Sequence, residues 1–143
     1  MKKVSLIIPC YNEEQALPIF AGELDKVRQE LRQYDFDVLM VNDGSSDKTL
    51  ETMKKISEEY DYFKYLSFSR NFGKESAIFA GLANAEGDCI AVMDCDLQHP
   101  PETLVEMYRL WEQGYEVVEG VKRSRGKESV LHRASAGMFY KIM

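Results

Sequence analysis

Two carboxylates one residue apart, Asp94 and Asp96, close an apolar run from Ile90 to Met93 that has the length and composition of a buried strand. On an extended chain, side chains at i and i+2 project to the same side. Two anions held that close repel unless a cation sits between them. Hard divalent ions such as Mg²⁺ or Mn²⁺ take oxygen ligands and commonly share them with substrate phosphates. Pro100 and Pro101 follow. They end the strand and can open a helix, because proline in the first turn loses no needed hydrogen bond. Taken alone, an Asp-x-Asp is as readily a solvated acidic turn. Its neighbours in the fold decide.

Those neighbours are read from hydrophobic periodicity. Val4–Pro9 is a continuous aliphatic run, as expected of a central strand covered on both faces. Leu17, Phe20, Leu24, Val27 and Leu31 recur at spacings of three and four and predict an amphipathic helix. Phe36–Val41 predicts a second strand, and Asp47 a cap for a helix carrying Leu50, Met53 and Ile56. Phe63–Phe68 predicts a third strand, followed by a short helix through Ile78, Phe79 and Leu82. The Asp-x-Asp strand, a helix with Leu104, Val105, Tyr108 and Trp111, and a fifth strand over 115–121 complete the series. This regular β-α alternation argues for an α/β fold, a mostly parallel sheet with helices on both faces. In such sheets ligands bind beyond the carboxyl ends of the strands. Every polar cluster falls at such an end: Tyr11-Asn12-Glu13, Asn42 to Ser45, Arg70-Asn71 and Asp94/Asp96.

Composition narrows the function. At 143 residues, 45% hydrophobic and 29% charged, the chain has the size and make-up of one globular domain. No apolar run approaches the ~18 residues that span a membrane, and Met1-Lys-Lys leads straight into a strand, so a cytoplasmic chain is expected. Net charge is −6, but residues 122–143 carry a local +5 and leave −11 on residues 1–121. An acidic body does not fit nucleic acid; a basic tail fits an anionic partner. Three cysteines without CxxC spacing read as reduced thiols. A zinc site on Cys95 and His99 lacks further ligands. The dinucleotide fingerprint GxGxxG is absent after the first strand. Gly73-Lys74 has Phe68 where a P-loop needs glycine. A phosphorelay receiver gives no account of the Asp-x-Asp spacing.

Together the motifs resemble family 2 of the GT-A glycosyltransferases. The likeness is to the polyprenyl-phosphate group, which includes bactoprenol glucosyltransferases and dolichol-phosphate mannose synthases. The residues that carry it are Pro9 to Glu13, Val41 to Thr49, Ser69 to Glu75, Met93 to Glu102 and Gly120 to Arg125. The resemblance implies that Pro9, Tyr11, Asn12 and Glu13 border the nucleotide, with the Tyr11 ring by base or ribose. It implies that Asp43 accepts a hydrogen bond from the base, that Asp94 lies near ribose and metal, and that Asp96 ligates the metal, Mg²⁺ or Mn²⁺. Gln98 would face the donor sugar or the acceptor phosphate, Arg70 and Lys74 would join the nucleotide-binding residues, and Lys122, Arg123 and Arg125 after the fifth strand would hold the donor diphosphate or the lipid phosphate. Asn42 stands where many relatives have a second aspartate, and Cys95 where many have alanine.

The implied activity is inverting transfer of a sugar from a nucleoside diphosphate, UDP-glucose being the expected donor and GDP-sugars remaining open. The expected acceptor is a polyprenyl phosphate in cell-envelope glycan synthesis, at the inner face of the cell membrane in the full-length protein. Transfer to a glycan hydroxyl and a non-catalytic nucleotide-sugar-binding domain remain alternatives, and homo-oligomerisation stays open. Residues 1–121 read as the nucleotide-sugar-binding core and 122–143 as a basic amphipathic segment leading to the acceptor region, with 129–143 patterned like an interfacial helix. The pattern stops at Met143 without a capping glycine, so the C-terminal part of the fold is expected to be truncated.

Overall fold

Residues Lys3–Cys10 form β1, and every one after Lys3 is buried, as a strand flanked by two others and covered on both faces requires. The computed structural model describes residues 1–98 and 100–116 in full, and the backbone of 118–122, 130–134 and 139–141. After β1 come α1 (Ala16–Val27), a single 3₁₀ turn (Arg28–Leu31), β2 (Asp35–Asn42), α2 (Thr49–Glu59), β3 (Phe63–Ser67) and α3 (Lys74–Asn84). Then follow β4 (Cys89–Val92), α4 (Thr103–Glu112), β5 (Val118–Lys122), β6 (Val130–Ala134) and β7 (Phe139–Lys141).

The main sheet has the order β3-β2-β1-β4-β7. Strands β1 to β4 are mutually parallel, with Leu6 opposite Val38 on one side and Ala91 on the other. Leu17, Phe20 and Leu24 of α1, Met53 and Ile56 of α2, and Leu104, Met107 and Tyr108 of α4 share one apolar cluster with Val4, Leu6 and Ile8. Ala77 of α3 joins Ile7, Val41 and Ile90 in a second cluster. Helices therefore cover both faces, as the alternation predicts. Each fully buried Leu or Phe contributes roughly 1.5–3 kcal/mol of apolar transfer. Helix α3 lies so close that a Cβ on Gly81 would fall 2.5 Å from the Ile7 side chain. Among the described residues, no helix is long and apolar enough to cross a membrane.

Two expectations differ from the structure. The fifth strand does not extend the parallel sheet: β5 pairs antiparallel with β6 in a separate two-stranded sheet. The few residues between them allow local antiparallel pairing, which needs no crossover helix. Where the structure describes the segment expected as an interfacial helix, at 130–134 and 139–141, the backbone is strand, β6 and β7, the latter antiparallel to β4. Val130, Phe139 and Tyr140 are residue types that favour strands, a preference stronger here than the mixed apolar and basic pattern.

One buried polar contact fastens α4 to the central strand. The Tyr108 hydroxyl, fully buried, donates to the Ser5 carbonyl at 3.2 Å. Tyr108→Phe should lower stability by about 1 kcal/mol, and Leu24→Ala by about 2–5 kcal/mol. Both are read as urea midpoints at unchanged m-value, and a Tyr108→Phe protein as stable as wild type would remove this contact from the account.

Candidate active site

The chain builds β1, β2 and β3 outward in one direction and then returns to place β4 on the other side of β1. The carboxyl ends of β1 and β4 therefore form the point where strand order reverses, the usual ligand crevice of such sheets. The N–H of Met93 donates to the Ile7 carbonyl at 3.0 Å, which keeps the two chain ends side by side. Past β4 the alternation continues: Met93 and Cys95 are buried, Asp94 is half-buried and Asp96 exposed. The Asp-x-Asp pair thus faces away from the core because its odd-numbered neighbours fill it.

The loop after β1 is laced to the loop after β2. Asn12 has a left-handed backbone, φ +54°, a region where asparagine is enriched. Its side-chain oxygen accepts hydrogen bonds from the Ser46 N–H at 2.8 Å and the Asp47 N–H at 3.3 Å. The Glu13 N–H donates to the Thr49 hydroxyl at 2.9 Å, and the Glu14 N–H to Asp47 at 3.3 Å. Asp47 also accepts the N–H and hydroxyl of Thr49 at the start of α2, the capping role expected of it. Burial pushes the Asp47 carboxyl up, but the hydrogen bonds from Thr49 and Glu14 outweigh it and hold the group below the usual carboxylate range.

Asp43 ties this pair of loops to a third. It is only 3% exposed, and its Oδ1 accepts the Phe72 N–H at 2.8 Å and the Gly73 N–H at 3.2 Å. Its Oδ2 accepts the Gly73 N–H at 3.1 Å and the Asn71 side-chain amide at 3.0 Å. The neighbouring Gly44 sits at φ +62° with Arg70 and Asn71 backbone directly against it: a Cβ there would lie 2.0 Å from the Arg70 carbonyl carbon. Gly73, at φ +105° and ψ 157°, adopts a conformation that is essentially glycine's own. Its turn starts α3 with Lys74.

These loops enclose a cleft of about 230 Å³. Of the residues singled out in the sequence, Pro9, Tyr11, Glu13, Asp43, Lys74, Asp94 and Asp96 line it. Tyr11 is 50% exposed, a free aromatic face at the rim. The Lys74 ammonium lies 2.8 Å from Asp94 Oδ1. Cys10 and Ala77 complete the lining and were not legible as site residues, since nothing in an apolar strand end or a helix alanine signals a ligand wall. A hydrogen bond to Cys95 and burial push the Cys10 thiol well up, which keeps it a neutral wall atom. Three expected residues do not line the cleft. The Asn12 side chain holds the 46–47 turn, the Arg70 guanidinium stacks on the Phe72 ring at 4.5 Å, and Gln98 is exposed with its N–H on Asp96 Oδ1 at 3.2 Å. Arg123 and Arg125 lie outside the described residues.

A divalent cation fits this donor set in one way. Among the described residues, no three His, Cys, Asp or Glu side chains gather into a cage that could hold a metal by itself. Asp94 and Asp96 supply hard carboxylate oxygens on one wall of an open cleft. That suits a cation such as Mg²⁺ or Mn²⁺, which keeps waters and completes its shell with substrate phosphate oxygens.

Comparison with known proteins places the chain. Residues 5–141 match the family described as Glycosyl transferase family 2, and the chain belongs to that family. It is 38% identical over 140 residues to the bactoprenol glucosyl transferase of Shigella phage SfV, covering 98% of this chain and 45% of that protein. It is 39% identical over 139 residues to the uncharacterized glycosyltransferase YkcC of Bacillus subtilis (strain 168), covering 97% of this chain and 43% of that protein. The chain therefore spans less than half the length of these relatives. The mannosyltransferase PcManGT from Pyrobaculum calidifontis, solved with GDP-Man and Mn²⁺, superposes with a TM-score of 0.69 at 23% identity over 87% of this chain and 37% of that one. S. aureus TarS 1-349 with UDP superposes with a TM-score of 0.60 at 25% identity over 89% of this chain and 38% of that one. The fold is the GT-A fold expected from the motifs.

The loop lacing yields two expected outcomes. Gly44→Ala should cost at least about 2 kcal/mol, because a left-handed alanine is strained and its methyl meets backbone rather than a movable side chain. Asp47→Ala should cost about 1 kcal/mol at neutral pH through loss of the cap. The folded Asp47 pKa is depressed, so its contribution is present above the unfolded value near ~3.9 and is lost as pH falls through the lower folded value. Thermal melts of wild type and Asp47→Ala between neutral and strongly acidic pH should therefore converge at the acid end. A gap that widens on acidification would contradict the sign.

Proposed function

We propose that the cleft is the donor site of a glycosyltransferase that moves a sugar from a nucleoside diphosphate, with UDP-glucose as donor and a polyprenyl phosphate as acceptor. The observation that carries this reading is the convergence of Tyr11, Glu13, Asp43, Lys74, Asp94 and Asp96 on one cleft at the strand-order reversal. The relatives named bactoprenol glucosyl transferase support the glucose and the lipid-linked acceptor. In this reading the Tyr11 ring, open at the rim, packs on the base or ribose. Asp43 keeps its loop bonds and offers a remaining lone pair to the base. Asp94 and Asp96 hold the divalent cation, which when bound neutralises charge developing on the departing diphosphate. Lys74 stands beside them as the cation facing the diphosphate.

The acceptor phosphate is already anionic near neutral pH, so attack of its oxygen on the anomeric carbon needs no strong general base. The new carbon–oxygen bond forms in line with the breaking bond to the diphosphate, and configuration inverts. Positioning and electrostatics supply most of the rate. Gln98, exposed beside Asp96 and outside the cleft lining, would meet the sugar or the incoming phosphate. A cytoplasmic site at the inner membrane face follows from where such donors and lipid phosphates meet.

Calorimetric titration of UDP-glucose and GDP-mannose, with and without Mn²⁺, tests the donor site. UDP-glucose should bind only with Mn²⁺, and Asp96→Ala should weaken it by at least roughly tenfold, as expected for loss of a charged ligand to a metal. Preference for GDP-mannose would change the donor assignment. Absence of binding by either sugar nucleotide would defeat the proposal.

A further inference from the structure

Among the described residues, the cleft carries four carboxylates, Glu13, Asp43, Asp94 and Asp96, and a single cationic side chain, Lys74. We propose that Lys74 is a resident counter-ion of Asp94 that gives way to the divalent cation and turns to the donor's diphosphate, so that metal and nucleotide load as a coupled pair. This rests on the reading of the cleft as a metal-diphosphate site and assigns to Lys74 a role in the order and cooperativity of filling it.

The geometry sets up a competition. The Lys74 ammonium is 2.8 Å from Asp94 Oδ1. A Mg²⁺- or Mn²⁺-sized ion sits about 2.1 Å from a carboxylate oxygen. Two cations on that one oxygen would stand within roughly 5 Å of each other, close enough for strong repulsion. The side chains of Lys74 and Asp94 are 60% and 40% exposed, so their pairing is screened and weak enough to exchange.

The root of Lys74 does not move with its head. Gly73 is held by both oxygens of the buried Asp43, and Lys74 is the first residue of α3. From that fixed point a flexible four-carbon stem carries a compact charge that can reach either of two neighbouring anions. Without nucleotide its partner is Asp94, and metal binding must displace it. With a diphosphate in the cleft it has a second anion to pair with, and metal binding becomes easier. By linkage the effect is reciprocal: whatever factor nucleotide adds to metal affinity, metal adds to nucleotide affinity.

The test is Mn²⁺ binding to the full-length protein, followed by the electron paramagnetic resonance signal of free Mn²⁺, without nucleotide and with saturating UDP or GDP. Lys74→Met should bind Mn²⁺ alone roughly three- to tenfold tighter than wild type, in line with loss of a half-exposed ion pair and of a nearby like charge. The factor by which the nucleotide tightens Mn²⁺ should shrink by a similar amount. Lys74→Arg should behave as wild type. Lys54→Met, which removes the same charge from an exposed position on α2, should leave Mn²⁺ affinity unchanged. Unchanged or weaker Mn²⁺ binding by Lys74→Met, in a wild type whose Mn²⁺ binding is tightened by nucleotide, overturns the counter-ion role alone. No Mn²⁺ binding by wild type under any condition overturns that role together with the metal-diphosphate reading. An equal gain in Lys54→Met would reduce the effect to net charge and also overturn it.

Discussion

The carboxylate of Asp43 is the tie on which the rest of the cleft depends. A buried ionised group is costly unless it is hydrogen-bonded, and here the Asn71 amide and the N–H groups of Phe72 and Gly73 supply three donors. Those donors belong to the segment that turns into α3, so the desolvation of one side chain at the end of β2 dictates where a helix on the opposite sheet face begins. Gly44 makes the same junction sterically, leaving no space for a side chain between the two loops. Remove the tie and Lys74 loses its fixed root, although it is itself exposed.

Around this anchor the cleft is electrostatically unfinished. Among the described residues, four carboxylates converge on it against one lysine, and Asp96 accepts a backbone N–H at 3.2 Å. Like charges gathered at a strand-order reversal repel one another and add no stability of their own. An excess of oxygen ligands beside an open aromatic rim is the arrangement a cation and an anionic, base-bearing ligand would complete together. The Lys74–Asp94 ion pair there is about half exposed, which makes it sensitive to ionic strength.

Much of this was legible in the chain. Strands β1, β2 and β4 and helices α1, α2 and α4 announce themselves through aliphatic runs and three-four periods, whereas edge strand β3 is mostly exposed and α3 buries Ala77 and Gly81 while Phe79 faces out. Asp94 and Asp96 were readable as a same-side pair because the alternation of the strand continues one turn past its last ladder bond. The role of Asn12 was not readable. Its side chain serves a turn more than thirty residues away, and only the packing of β1 against β2 brings the two loops within reach. Arg70 is a comparable case: expected among the nucleotide-binding residues, its guanidinium stacks instead on the Phe72 ring two residues on. The edge strands were missed for a different reason: β6 and β7 are short, and short apolar stretches carry no period long enough to separate strand from helix.

Leu97 explains how the Asp-x-Asp pair stays at the cleft after its strand has ended. Its backbone is left-handed, φ +65°, an uncommon state for a branched side chain that costs of order 1 kcal/mol or more. The conformation turns the chain back so that the Gln98 N–H meets Asp96, while the Leu97 side chain packs on the same apolar cluster as Cys95. Partial burial of that leucine against the cluster works against the strain, and Asp96 stays on the cleft wall. A relaxed residue would leave the second carboxylate on an extended tail before Pro100; the strained one holds it beside the first. Strain, partly buried leucine and exposed aspartate thus act together, and their product is a pair of anions kept at the cleft.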